Sequence, residues 1–251
     1  MLFQTSTSHL HPPPSQDRNN SIDLEQQQQH QQTQGQEEVI PIPQPGDRAP
    51  PLAPTSTLTT SGPLPTPLTP SAPIVTFPRA KPVLAVFLRH CGCPFAEKTF
   101  RRLADVANQY RDEVTCVAVS QAGREETEKW IVQVGGAWEV QVVTDPRREL
   151  FRLWGLGLGS TWYAWNPKVL WSAWKLATDE GIWTRDNTAG GNKWQIGGAF
   201  AIDPLGIVRW SKPGTQSADE VPDFEEALRA LGVDCEKHRK SKERKRVSRS
   251  G

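Results

Sequence analysis

Two cysteines one glycine apart, with two cationic-type residues before them and a proline after, are the chain's clearest chemical feature: Arg89-His90-Cys91-Gly92-Cys93-Pro94. A thiolate is both a nucleophile and a metal ligand, and its availability depends on how its surroundings treat the negative charge. Arg89 and His90 are near enough in sequence to favour that charge. Cys93 is the candidate nucleophile, Cys91 its neighbour thiol. The competing reading is a buried, inert cysteine, because free cysteine is often simply core. The redox reading requires a sulfur at the positive end of a helix and open to a reactant.

The flanking residues predict the elements that would place it there. Val83 to Leu88 are six consecutive apolar residues, suited to a strand buried on both faces. After Pro94, Phe95, Phe100, Leu103, Val106 and Tyr110 recur at roughly helical spacing between charged residues. Pro94 suits the first helical position, where a missing N–H costs nothing. Cys93 therefore immediately precedes a helix start, where unpaired N–H groups and partial positive charge favour a thiolate.

The following segments alternate. Val114 to Ser120 is a second buried-strand pattern, with Cys116 inside it as core. Glu125 to Val134 reads as a helix ended by Gly135-Gly136. Val140 to Asp145 is a third strand, and Arg147 to Trp154 a short helix. Gly198 to Trp210 reads as an antiparallel hairpin turning at Asp203 to Gly206, and Asp223 to Leu231 as a closing helix. The order is a parallel βα unit followed by a hairpin and a helix. It predicts a thioredoxin-like three-layer α/β/α sandwich with a mixed central sheet.

Between these parts lies an insertion. The run Gly155-Leu156-Gly157-Leu158-Gly159 follows a helix rather than a strand, and Ser160 stands where a dinucleotide loop needs glycine, so it reads as a turn. Trp162, Trp165, Trp171, Trp174, Trp183 and Trp194 follow, more than half of the ten tryptophans. They are packing residues or an aromatic wall over an apolar ligand.

The composition is uneven. Residues 1–78 hold most of the prolines, a glutamine run and many Ser and Thr, and read as disordered. Residues 79–232 form the domain, and 233–251 are a basic, disordered tail. Met1 to Leu10 lacks the features of a signal peptide, and no stretch is long and apolar enough to span a membrane. Four irregularly spaced cysteines do not form a secreted disulfide framework, so a cytoplasmic setting is expected. Lys237 to Arg249 reads as a nuclear address, a weak polyanion contact or a solvated tail. With a net charge of +1 and no basic stripe in the domain, nucleic acid is ranked last among partners. His90, Cys91, Cys93, Cys235 and His238 are zinc-type ligands, but their spacing matches no standard pattern. No metal and no cofactor is expected.

The chain resembles the AhpC/TSA (thiol-specific antioxidant) superfamily in its peroxiredoxin-like branch. The resemblance rests on Val86-Phe87-Leu88-Arg89-His90 leading to Gly92-Cys93-Pro94, on the Gly155-Leu156-Gly157 segment with its tryptophan-bearing insertion, and on Gly197 to Pro204. It covers about 80 to 232 and implies thiol redox chemistry on a thioredoxin fold. Cys93 matches the first cysteine of that branch's Cys-x-x-Cys loop, and Ala96 stands at the second. Peroxiredoxins proper carry Pro-x-x-x-Thr-x-x-Cys; here Val86 and His90 occupy the proline and threonine positions. Gly197 stands where their active-site arginine belongs, leaving Arg89 as the candidate substitute.

The resemblance implies a thiol-dependent oxidoreductase acting through Cys93 on a peroxide or an organic endoperoxide-like substrate, with an external thiol such as thioredoxin or glutathione as reductant. An oxidised Cys93 has three routes back: an outside thiol, a strained bridge to Cys91, or resolution by Cys235. The alternative is a non-catalytic thioredoxin-fold binding module with a degenerate site.

Overall fold

The computed structural model describes residues 40–52, 80–160, 167–185, 191–214, 219 and 221–236. The rest of the N-terminal segment, the basic tail from Lys237, and Trp162 and Trp165 lie outside the described residues.

A five-stranded sheet has the order β3-β2-β1-β4-β5. β1 (Val83–Leu88) is central, parallel to β2 (Thr115–Ser120) and antiparallel to β4 (Gly198–Ile202). β3 (Gln141–Thr144) continues the parallel side, and β5 (Val208–Pro213) completes the hairpin. Every residue of β1 is buried, as its unbroken apolar run requires.

Alternate residues of the strands feed separate cores. Leu84, Val86, Leu88, Cys116, Ala118, Ala199 and Ala201 pack with helices α1 (Pro94–Gln109), α2 (Arg124–Gln133), α4 (Pro167–Glu180) and α5 (Phe224–Ala230). Val83, Ala85, Phe87, Val117, Val119, Phe200 and Ile202 pack with α3 (Glu149–Leu153), Trp154 and Leu52. The expected three-layer arrangement with a mixed sheet is present. The hairpin turn is held by Asp203, whose Oδ1 accepts from the N–H groups of Leu205 and Ile207, both at 2.9 Å.

The composition-based boundary of the N-terminal segment needs correction. Residues 40–52 pack on the domain rather than belonging to a disordered 1–78. Gly46 N–H donates to Val208 O and Val208 N–H to Asp47 O, so this segment pairs with the start of the edge strand β5. Leu52 is fully buried, and Trp154 Nε1–H donates to Pro51 O at 3.3 Å. A few apolar side chains and backbone pairs suffice to order a proline-rich stretch that composition marks as coil. The segment also explains one glycine of the Gly155 run. A Cβ on Gly155, whose φ is +68°, would fall 2.7 Å from Ile40 O and from Ile42 N. The C-terminal boundary also extends slightly: Val233 is buried.

Candidate functional site

The site lies at the carboxyl end of β1, where the five-residue connection 89–93 passes into α1. Cys93 is the N-cap residue of α1, with extended backbone (φ −83°, ψ 124°), and Pro94 opens the helix. Its carbonyl accepts the first helical bond from Glu97 N–H at 3.1 Å, and its own N–H donates to His90 O at 3.1 Å. The thiol therefore stands at the helix start, as the sequence predicts. It is not open: Cys93 is only 4% exposed.

Arg89 reaches the sulfur. Its Nη1–H donates to Cys93 Sγ at 3.2 Å, while Nη2–H donates to Lys193 O at 2.8 Å and Nε–H to Gln195 O at 3.4 Å. Those carbonyls fix the guanidinium plane, so its charge is held on the sulfur rather than swinging in water. Gln195 is itself anchored, its Nε2 donating to Leu156 O and Gly157 O at 2.8 and 3.0 Å.

Gly197 gives Arg89 its room. A Cβ at Gly197 would lie 3.2 Å from Arg89 Cγ and 2.7 Å from Phe87 O. This glycine is thus the floor over which the arginine from the end of β1 passes.

His90 and Cys91 play other parts than the sequence suggested. His90 is half-buried, and its Nδ1 accepts from Gly92 N–H at 3.2 Å. Burial, then the charges of Arg89 and Lys193, push its pKa down to about 3. The ring is neutral near pH 7 and adds no positive charge for a thiolate. Cys91 is buried against Ser120, with Sγ 3.7 Å from Oγ, and burial pushes its thiol pKa up. Cys116 sits in β2, sealed, and is pushed up to about 12. All four cysteines are free thiols.

Cys235 is at the wrong end of the molecule to resolve Cys93. It adjoins Tyr110, the C-cap of α1, whereas Cys93 is the N-cap. The 16 helical residues between them rise ~1.5 Å each, about 24 Å in all.

Two residues that matter here were not singled out from the sequence: Glu97 and Arg185. Glu97, in the first turn of α1, is 1% exposed, and its carboxylate takes two hydrogen bonds from Arg185, at 2.8 and 2.9 Å, and one from Arg101 at 2.5 Å. Glu97 lies three, seven and ten residues before Phe100, Ala104 and Ala107, which are all buried. That helical spacing is the signal that it faces inward.

Three of the insertion's tryptophans, Trp171, Trp174 and Trp183, do not wall the cysteine. Trp171 and Trp174 stack on each other with ring centroids 5.0 Å apart, on the solvent side of α4. Trp183 is also exposed. The space beside Arg89 is instead a cavity of about 40 Å³, lined among others by Arg89, Phe95, Ala96, Thr99, Gly197 and Lys212. Among the described residues no cluster of metal ligands occurs.

A family model, AhpC/TSA antioxidant enzyme, matches residues 102–215. That stretch, a little under half of the chain, is similar to the AhpC/TSA family. The match starts within α1, beyond β1 and the Cys93 turn, so it does not include the thiol. A peroxiredoxin-like protein from Aquifex aeolicus has the same fold, with 15% identity, 77% of this chain and 89% of that chain covered, and a TM-score of 0.50. A thiol peroxidase from Chromobacterium violaceum aligns at 13% identity over the same shares, with a TM-score of 0.44. A putative thiol:disulfide interchange protein DsbE from Chlorobium tepidum aligns at 18% identity over 75% of this chain and 99% of that one, with a TM-score of 0.43. No curated protein sequence matches the chain.

Proposed function

We propose that this chain is a thiol-dependent oxidoreductase of the AhpC/TSA type that reduces a peroxide through Cys93. The observation that carries the reading is the fixed Arg89 guanidinium 3.2 Å from a sulfur at a helix start. A cation held there by carbonyls is in place for the negative charge that develops on a leaving oxygen.

The chemistry balances with a thiol reductant. The Cys93 thiolate attacks one oxygen of ROOH; a new S–O bond forms and the O–O bond breaks. Sulfur loses two electrons, and the departing RO⁻ takes a proton to give ROH. An external thiol, of the thioredoxin or glutathione class, attacks the sulfenic acid, releasing water and forming a mixed disulfide. A second thiol frees Cys93 as a disulfide of the two reductant thiols leaves. An outside reductant is the favoured route because Cys235 is a helix length away and Cys91 is buried against Ser120.

The burial of Cys93 favours a second reading, a thioredoxin-fold binding module whose thiol is no longer used. Trapping with a sulfenic-acid probe after mild peroxide separates the two. The first reading expects an adduct on Cys93 in the parent and in Cys91→Ser, and none in Cys93→Ser. An unlabelled parent supports the binding module.

A further inference from the structure

Residues 181–185, which leave the end of α4, lie against the cysteine turn. Ile182 is buried in the same core cluster as Cys91 and Cys93. Arg185 N–H donates to Gly92 O at 3.3 Å, and Arg185 O lies only 2.7 Å from where a Cβ on Gly92 would sit. Backbone touches backbone at the residue between the two thiols. The Arg185 side chain then closes on Glu97 with a two-point fork, and Glu180, at the end of α4, pairs with Lys98 of the same α1 turn.

We propose that residues 181–185 are a strap, clamped by the Arg185–Glu97 ion pair, that admits small hydroperoxides to Cys93 and excludes bulky ones. The identity of the reactant rests on the peroxide reading above; the strap does not.

The clamp is costly to break and reversible. A carboxylate as buried as Glu97 needs its partners, and removing one leaves an undercompensated charge. Arg185 keeps about a third of its side chain exposed, so water can receive it when the strap lifts. Cys93 is only 4% exposed, so a bulky reactant reaches it only when the cover over its turn lifts.

The test compares alkylation of Cys93 by iodoacetamide and by a polyethylene-glycol maleimide, read by peptide mass mapping on the folded protein without peroxide. In Arg185→Ala the bulky reagent is expected to gain at least about tenfold and the small one less than about threefold. Equal gains for both reagents, or no gain in a folded variant, overturn the strap. Should Arg185→Ala fail to fold, Arg185→Lys keeps the charge, loses the fork, and is expected to show the same ordering. An inert parent with peroxide would sink the redox reading and leave this comparison intact. The reverse outcome, a reactive parent with size-blind alkylation, would remove only the strap.

Discussion

The two ends of α1 each carry a cysteine, and they could hardly differ more. At the start, Cys93 is buried, bonded to Arg89 and covered by the Arg185 strap. At the far end, Cys235 is half-exposed beside Tyr110, in an open groove of about 970 Å³ where Asp105, Asp223, Glu225 and Asp234 stand with Arg102 and Arg229. Its Sγ donates a long hydrogen bond to Val233 O at 3.8 Å. Exposure and activation are separated along one helix. The accessible sulfur lies toward the negative end of α1, and the sulfur with a helix N-terminus and an arginine is enclosed. Reactivity in this molecule depends on charge brought to the sulfur, and access depends on what lifts.

The largest break in that contrast is Cys93→Ser, which is expected to remove all peroxide-dependent sulfenic labelling. Cys235→Ser should keep it, and labelling that follows Cys235 instead would reverse the assignment. Next in size is Arg89→Ala. Loss of a fixed donor at a developing charge costs about 10²-fold in rate, so Cys93 oxidation followed by stopped-flow should slow by that order in a folded variant. Gly197→Ala should act on the same guanidinium from below. The added methyl group meets Phe87 O and Arg89 Cγ, and overpacking of this kind costs ~1–3 kcal/mol. Urea unfolding and the oxidation rate should both fall, with Gly198→Ala as a control for a glycine that does not touch Arg89.

A smaller effect concerns pH. His90 is neutral in the fold until about pH 3, whereas an exposed histidine takes its proton near 6.5. Below 6.5 the unfolded chain therefore binds a proton that the native ring refuses, and stability is lost as pH falls from 6.5 toward 3. His90→Asn removes this contribution, so its thermal midpoint should decline less steeply with acid than the parent's. Parallel curves would show that the ring is not held neutral. The smallest effect is at the exposed stack: Trp171→Ser should shift stability by less than about 0.5 kcal/mol and leave the oxidation rate unchanged. A rate loss there would restore the aromatic wall to the site.

The fold was legible because its signals are local. The unbroken apolar run of β1, the helical spacing after Pro94 and the Asp203 turn each state their element within a few residues. The position of Cys93 follows from the same short-range pattern. The ordered 40–52 segment was hidden because its partners, Val208 and Trp154, lie more than a hundred residues away and its composition is that of coil. His90 was misread for a related reason: proximity to a cysteine in sequence suggests a cation, but burial beside Arg89 and Lys193 removes its charge. Arg185 carries no sequence mark at all, since only the return of 181–185 across Gly92 gives it Glu97 as a partner.

The rate constant of the folded parent protein with hydrogen peroxide, measured by stopped-flow beside free cysteine at the same pH, tests the account most directly. A rate well above that of free cysteine, lost in Cys93→Ser and cut in Arg89→Ala, is the predicted result. A parent no faster than the free amino acid would contradict it.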